Sequence, residues 1–237
     1  MKSSLKISCA LTLALLAGGA SAAPIYWTDW TGSDQDPGVG FIGSGTITTP
    51  TSTVNVTYTN ARGIAFYQAA GGTYYYSNGS DGPAGTSPYT SAQVDNRPPT
   101  ADIVALQYAG TQSLVFSQAI ANPVFAFVSL NGNGYGFDQD FDILSFGGAD
   151  GNACGYWGCG TSYKNIVTVN GKTEYQLLGT GGLAADPEPR LFQTSKIMVV
   201  DFIAMTMAFA DEVGSISFFG MAAGNELTGV LPKTHGS

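Results

Sequence analysis

Histidine is almost missing from this chain: His235, two residues before the end, is the one imidazole in 237 residues. A Ser-His-Asp or Cys-His device needs an imidazole held against its nucleophile, and terminal segments are where order is weakest. Histidine-dependent hydrolysis is therefore not expected. Charge is scarce as well, at 11% of residues, and basic charge scarcest, with nine Lys and Arg against seventeen Asp and Glu for a net charge of −8. A chain so poor in cations is no partner for nucleic acid or for an anionic membrane surface. Helical periodicity is lacking beyond the first twenty residues. Cysteine is limited to Cys9, Cys154 and Cys159.

The N-terminus sets the compartment. Two lysines in Met1–Lys6, an apolar run from Ile7 to Ala17 and the Ala20-Ser21-Ala22 triplet form the pattern of a secretory signal peptide, too short for a spanning helix. Cleavage is expected after Ala22. It leaves residues 23–237 as the mature domain, and removes Lys2 and Lys6, so that seven basic residues face seventeen acidic ones at a net charge of −10. Cys9 stands at the start of the apolar run rather than after it, which does not fit a lipoprotein. The chain closes on GVLPKTHGS, which carries no sorting tail. No stable membrane anchor is expected.

What the chain has in abundance is Gly, Ser, Thr, Asn and Tyr, the makings of an extracellular β protein. Thr53–Thr59 (TVNVTYT) alternates strictly and predicts a half-buried strand with Val54, Val56 and Tyr58 inward. Val124–Leu130 (VFAFVSL) is apolar on both faces and predicts a central strand packed on each side. Short strands are expected in Ile103–Gln107 and Leu114–Phe116. Ile166–Val169, Asn170-Gly171 and Lys172–Leu178 predict a tight hairpin on a type I′ turn. Many short strands broken by Gly, Pro and Asn point to an all-β fold, a single β-sandwich or jelly-roll-like domain. The Gly-, Ser- and Tyr-rich stretch from Gln68 to Arg97 is expected to be a long ordered loop on that domain rather than a linker.

Three constellations carry chemistry. Phe137-Asp138-Gln139-Asp140-Phe141-Asp142-Ile143, read as one strand, lines Asp138, Asp140 and Asp142 along its outer face. Like charges side by side are relieved by a hard cation, so the three are a candidate calcium site, although the EF-hand spacing is not met. A solvated acidic face is the competing interpretation. Asp95, Asn96 and Asp102, around Pro98-Pro99, are expected to be turn-formers. Aromatics form the second constellation: Tyr74, Tyr75, Tyr76, Tyr156 and Trp157, in glycine-rich loops, could lie against the C–H faces of a sugar. Trp27 and Trp30 are expected to be core anchors instead. Paired carboxylates for glycoside hydrolysis cannot be singled out, and no enzymatic activity is expected.

The third is Cys154-Gly-Tyr-Trp-Gly-Cys159. Structural zinc takes four N or S ligands, and this segment offers two thiols with no neighbouring histidine. Redox catalysis favours C-x-x-C at a helix N-terminus, not four intervening residues in a glycine-rich loop. In an oxidising compartment two such cysteines pair. A disulfide presenting Tyr156 and Trp157 on a turn is the expectation.

Taken together, Tyr26–Thr31 (YWTDWT), Gly45-Thr46-Ile47, Val54–Thr59, Val94–Ile103 (VDNRPPTADI), Asn122–Leu130 and Gly155–Gly158 (GYWG) resemble the body of bacterial exported proteins of the PEP-CTERM class. The likeness runs from about Tyr26 to Thr161. It implies a secreted, non-catalytic β-sandwich of a Gram-negative bacterium, periplasmic or extracellular, associated with exopolysaccharide or biofilm matrix. Its partners would be extracellular polysaccharide or other surface proteins. The class ends in Pro-Glu-Pro, a spanning helix and arginines. Here Pro187-Glu188-Pro189 is followed by Ile197–Ala210, about fourteen residues interrupted by Asp201 and succeeded by Asp211-Glu212, which is short for a span and predicts one or two buried strands.

Overall fold

Antiparallel β-strands are the regular elements of the computed structural model, which describes residues 22, 24–36, 40–83, 85–106, 110–130, 134–169, 171–179, 205–209 and 213–221. The fold is all-β, as the composition predicts. The leader apart from Ala22, the Pro187-Glu188-Pro189 motif and His235 lie outside the described residues.

Thirteen strands are formed: β1 (Asp29–Asp36), β2 (Gly40–Thr48), β3 (Thr53–Asn60), β4 (Phe66–Gln68), β5 (Ile103–Ala105), β6 (Gly110–Ile120), β7 (Val124–Phe127), β8 (Gly134–Phe137), β9 (Phe141–Phe146), β10 (Ser162–Val169), β11 (Lys172–Gly179), β12 (Met205–Phe209) and β13 (Val213–Met221). Eight make one sheet in the order β1-β2-β3-β6-β13-β8-β11-β10. A second sheet runs β7-β12-β9, and β4 pairs with β5 in a short ribbon.

Strand β3 shows why the sequence folds this way. Val54, Val56 and Tyr58 are buried while Thr53, Asn55 and Thr57 are exposed, the alternation of a strand with one face on a core. The predicted hairpin forms in the expected register, Val169 facing Lys172 and Ile166 facing Tyr175. Gly171 has φ +76°, the left-handed conformation that a tight hairpin turn needs.

One buried cluster gathers Phe41 from β2, Val54, Val56 and Tyr58 from β3, and Leu114 and Phe116 from β6. It continues through Phe137 of β8, Phe141 of β9 and Leu177 of β11. Phe125 and Phe127 of β7, Tyr67 of β4 and Val104 of β5 pack against it, so the two smaller sheets contribute to the same core as the large one. Inside it, Tyr58 Oη donates to Gln112 Oε1 at 2.6 Å and accepts from Asn60 Nδ2 at 3.1 Å, which satisfies a hydroxyl whose burial would otherwise be costly. Trp30 stacks edge-on against Tyr58 and Tyr67 at 6.4 and 6.3 Å. That is the anchoring role its sequence context implies.

Two expectations change. Val124–Leu130 is not a central strand: β7 stops at Phe127 and lies at an edge, and β12 holds the centre. It is nonetheless covered on both faces. Phe125 and Phe127 pack on the main core, while Ala126 and Val128 pack on a second cluster built by Tyr76 and Tyr89 of the long loop. The loop supplies the second cover, which explains an apolar pattern that otherwise signals a central strand. The other change concerns Phe137–Ile143, which is not one strand. It is broken between β8 and β9 at Asp138–Asp140. Of the run Ile197–Ala210, residues 205–209 form β12 and the remainder lies outside the described residues.

Candidate functional site

The stretch from Gln68 to Asp102 is ordered by its own polar groups. Arg97 Nη1 donates to the carbonyls of Ser77, Asn78 and Gly79 at 2.8, 3.1 and 2.7 Å, its Nε stands 3.4 Å from Asp81 Oδ1, and the guanidinium lies 5.9 Å from the centre of the Tyr74 ring. A planar, five-donor guanidinium suits the task of gathering several carbonyls. Asn96 ties down the N-terminal segment, accepting from Ile25 N at 2.6 Å and donating to Ile25 O at 3.0 Å, and its carbonyl accepts from Trp27 Nε1 at 3.2 Å. Asp102 Oδ2 accepts from Trp30 N at 3.0 Å. Burial is the main cause pushing the Asp102 carboxyl above its ordinary value, with the Trp30 amide opposing it. These residues thus join distant segments as well as forming turns. A lone arginine amid Gly, Ser and Asp was the available signal.

The three consecutive tyrosines part company. Tyr76 is buried, its ring 5.1 Å from Tyr89, and burial raises its phenol well above the usual range. Tyr74 lies on the same side, 6.1 Å from Tyr76, with its hydroxyl donating to Pro98 O at 2.6 Å. Tyr75 points the other way. It meets Trp157 at 4.7 Å and Tyr156 at 5.2 Å, with Phe66 of β4 behind it at 6.2 Å. Tyr156 and Trp157 are themselves edge to face at 5.1 Å. Of the five aromatics singled out from sequence, the structure therefore brings together Tyr75, Tyr156 and Trp157 at the surface and places Tyr74 and Tyr76 in the packing beneath the loop.

This patch is built on a small closed turn. Cys154 and Cys159 form a disulfide with Cα atoms 4.5 Å apart. Between them Gly155 and Gly158 pair as an isolated bridge, Gly158 N donating to Gly155 O at 3.2 Å, so Tyr156 and Trp157 stand at the tip. Asn78 Nδ2, three residues after Tyr75, donates to the carbonyls of Cys154 and Gly155 at 3.0 and 2.9 Å and locks the turn to the tyrosine loop. Tyr156 is 44% exposed and Trp157 half-buried. Beside the disulfide opens a hollow of about 220 Å³ lined by Phe146, Gly147, Gly148, Cys159, Gly160 and Thr161. None of the three rings lines this hollow.

Loss of the disulfide should leave the fold in place, because Asn78 still holds the turn. Cys154→Ala with Cys159→Ala is expected to lower stability by about 2 kcal/mol, as for so short a loop, and to raise amide exchange in residues 153–160. Unchanged exchange there would show that the staple does not order the turn. Alkylation without reduction should leave both native sulfurs unmodified.

The acidic row is arranged differently from a cation site. Lys164 Nζ of β10 stands 2.8 Å from Asp140 Oδ1, 3.9 Å from Asp142 Oδ1, and donates to Phe141 O at 2.8 Å. The lysine supplies the positive charge that calcium was expected to bring. Its hydrogen bond is the main cause lowering the Asp140 carboxyl below the ordinary carboxylate range. The structure does not gather Asp138 with Asp140 and Asp142, and among the described residues no three acidic, histidine or cysteine side chains converge as metal ligands. The Asn131-Gly132-Asn133-Gly134 loop before this row, whose carbonyls could complete a calcium site on the sequence reading, lies outside the described residues at 131–133, and Gly134 opens β8.

No helix among the described residues is long and apolar enough to cross a membrane. Comparison with known proteins found no matching family model, no similar curated protein and no similar solved structure.

Proposed function

We propose that this is an exported, non-catalytic protein of a bacterial cell surface or exopolysaccharide matrix, and that it holds glycan on the patch of Tyr75, Tyr156 and Trp157. One observation carries the proposal: two loops far apart in sequence are locked together so that three rings meet at the surface on a disulfide-closed turn. Large rigid rings provide contact area at little conformational cost. The disulfide favours an oxidising compartment, in line with the leader sequence. The likeness to the PEP-CTERM class points to the same setting.

A net charge of −8, or −10 once residues 1–22 are removed, disfavours polymers of uronic acids by repulsion. A neutral exopolysaccharide is thus the ligand class best suited to the patch. In affinity electrophoresis through gels containing neutral polysaccharides, the protein should be retarded by at least one of them. Trp157→Ala should weaken that binding about tenfold or more, the equivalent of about 1.4 kcal/mol, with the circular dichroism spectrum unchanged. Retardation that survives both Trp157→Ala and Tyr75→Ala would remove the patch from the account.

A further inference from the structure

Disulfides differ in how readily a thiol opens them: those that hold a fold together resist reduction, whereas exposed ones exchange. Two features place the Cys154–Cys159 bridge in the second group. Both of its cysteines are exposed. They also stand only five positions apart, and so small a ring constrains the unfolded chain little. By linkage, a bridge that adds little to folding gains little resistance to reduction from it.

The hollow beside the bridge selects the sulfur that is reached. Cys159 belongs to its wall. Three more of the six lining residues, Gly147, Gly148 and Gly160, have no side chain to screen that sulfur. Gly148 comes so close that a Cβ added there would stand 2.7 Å from Cys159 Sγ, and its φ of +83° is a conformation that side chains rarely adopt. The volume of about 220 Å³ lies below the roughly 300–1,000 Å³ of sites for drug-sized ligands, which suits a small thiol.

The Cys154 side is held in place. Asn78 Nδ2 donates to the carbonyls of Cys154 and Gly155, and Gly147 packs on the same backbone, where an added Cβ would lie 3.0 Å from Gly155 N. The bond from Gly158 N to Gly155 O closes the turn without the sulfurs. An opened bridge therefore keeps its two thiols as neighbours, placed to close again.

We infer that Cys159 Sγ is a thiol-exchange site for low-molecular-weight thiols of the glutathione kind, which enter by the hollow. The attacking thiolate bonds to Cys159 Sγ as the bond between the two cysteines breaks, and the electron pair leaves on Cys154 Sγ, which takes a proton from water. A second thiol then attacks the sulfur of the added group, releasing the oxidised thiol and leaving Cys159 reduced. Two thiols are thus oxidised to one disulfide for each bridge reduced. Attack by Cys154 on Cys159 instead expels the added thiol and restores the bridge. Opening loosens the turn that carries Tyr156 and Trp157. The reaction requires no glycan, so its failure would leave the glycan reading standing.

The test uses the folded, oxidised protein with millimolar reduced glutathione in deoxygenated buffer without denaturant, quenched with N-ethylmaleimide and mapped by fragment-ion mass spectrometry. The bridge should open at a rate within about tenfold of that of the urea-unfolded chain, with circular dichroism unchanged, because the fold shields it little. In early samples the glutathione adduct should be mainly on Cys159, with Cys154 alkylated. Amide exchange in residues 155–158 should rise as thiols appear and fall back on reoxidation. Protection by the fold greater than that tenfold would overturn the inference, and so would adduct found equally or mainly on Cys154.

Discussion

Replacing Phe137 by alanine should lower the unfolding free energy by about 3–5 kcal/mol, the cost of a phenylalanine-sized cavity in a core that cannot collapse around it. Phe137 is 1% exposed and stands where the two larger sheets meet. It belongs to β8 of the eight-stranded sheet, yet its ring lies 6.4 Å from Phe125 of β7 and 5.5 Å from Phe141 of β9, both in the other sheet. Tyr135, on its own strand, is 6.2 Å away. Removing the ring therefore opens a void bordered by three further aromatics from three strands. Against a total stability of about 5–15 kcal/mol, the variant should unfold at clearly lower urea concentration, with the slope of the transition unchanged. A loss below about 1 kcal/mol, typical of surface substitutions, would mean that the two sheets do not share this core.

Gly79→Ala is expected to be nearly as damaging, through the backbone. Gly79 has φ +75°, and an added Cβ would stand 2.4 Å from Ser87 N and 2.5 Å from Ser87 Cα. A non-glycine residue held in that conformation costs about 1–3 kcal/mol before any clash, and here the obstacle is main chain that must move. The displaced segment carries the Gly79 carbonyl held by Arg97 and the Ser80 carbonyl that accepts from Ser87 N. Next to it is Asn78, whose amide locks the disulfide turn. The substitution should destabilise the loop by about 3 kcal/mol, with the conformational and steric terms combined. It should speed amide exchange across residues 74–90 and weaken glycan binding through the lost alignment of Tyr75 with Trp157. Wild-type exchange in that loop would contradict its description as one locked unit.

How much of this was legible beforehand depends on the range of the contacts. Within single strands the pattern sufficed: the alternation of Val54, Val56 and Tyr58 and the Asn170-Gly171 turn needed no information from elsewhere in the chain. Where a distant segment decides, it did not. The two apolar faces of Val124–Val128 indicated burial correctly but could not say that Tyr76 and Tyr89, rather than a neighbouring strand, supply one cover. The aspartates around Asp140 showed a need for positive charge, yet the answering Lys164 is 24 residues away. The tyrosine run was not legible: it lies in a loop with a turn at Tyr75–Tyr76, where no strand alternation sorts Tyr74 and Tyr76 from Tyr75. That Tyr75 would meet Trp157, 82 positions on, has no local signal.

The central claim is that the Tyr75, Tyr156 and Trp157 patch is where a neutral glycan sits. The protein has three tryptophans, which makes fluorine NMR of 5-fluorotryptophan-labelled protein the most direct test, with Trp157→Phe assigning the signal. Titration with a retained neutral oligosaccharide should move the Trp157 resonance saturably and leave that of Trp30, packed against Tyr58 and Tyr67 in the core, where it was. A Trp157 resonance that stays fixed while the glycan binds would contradict the account.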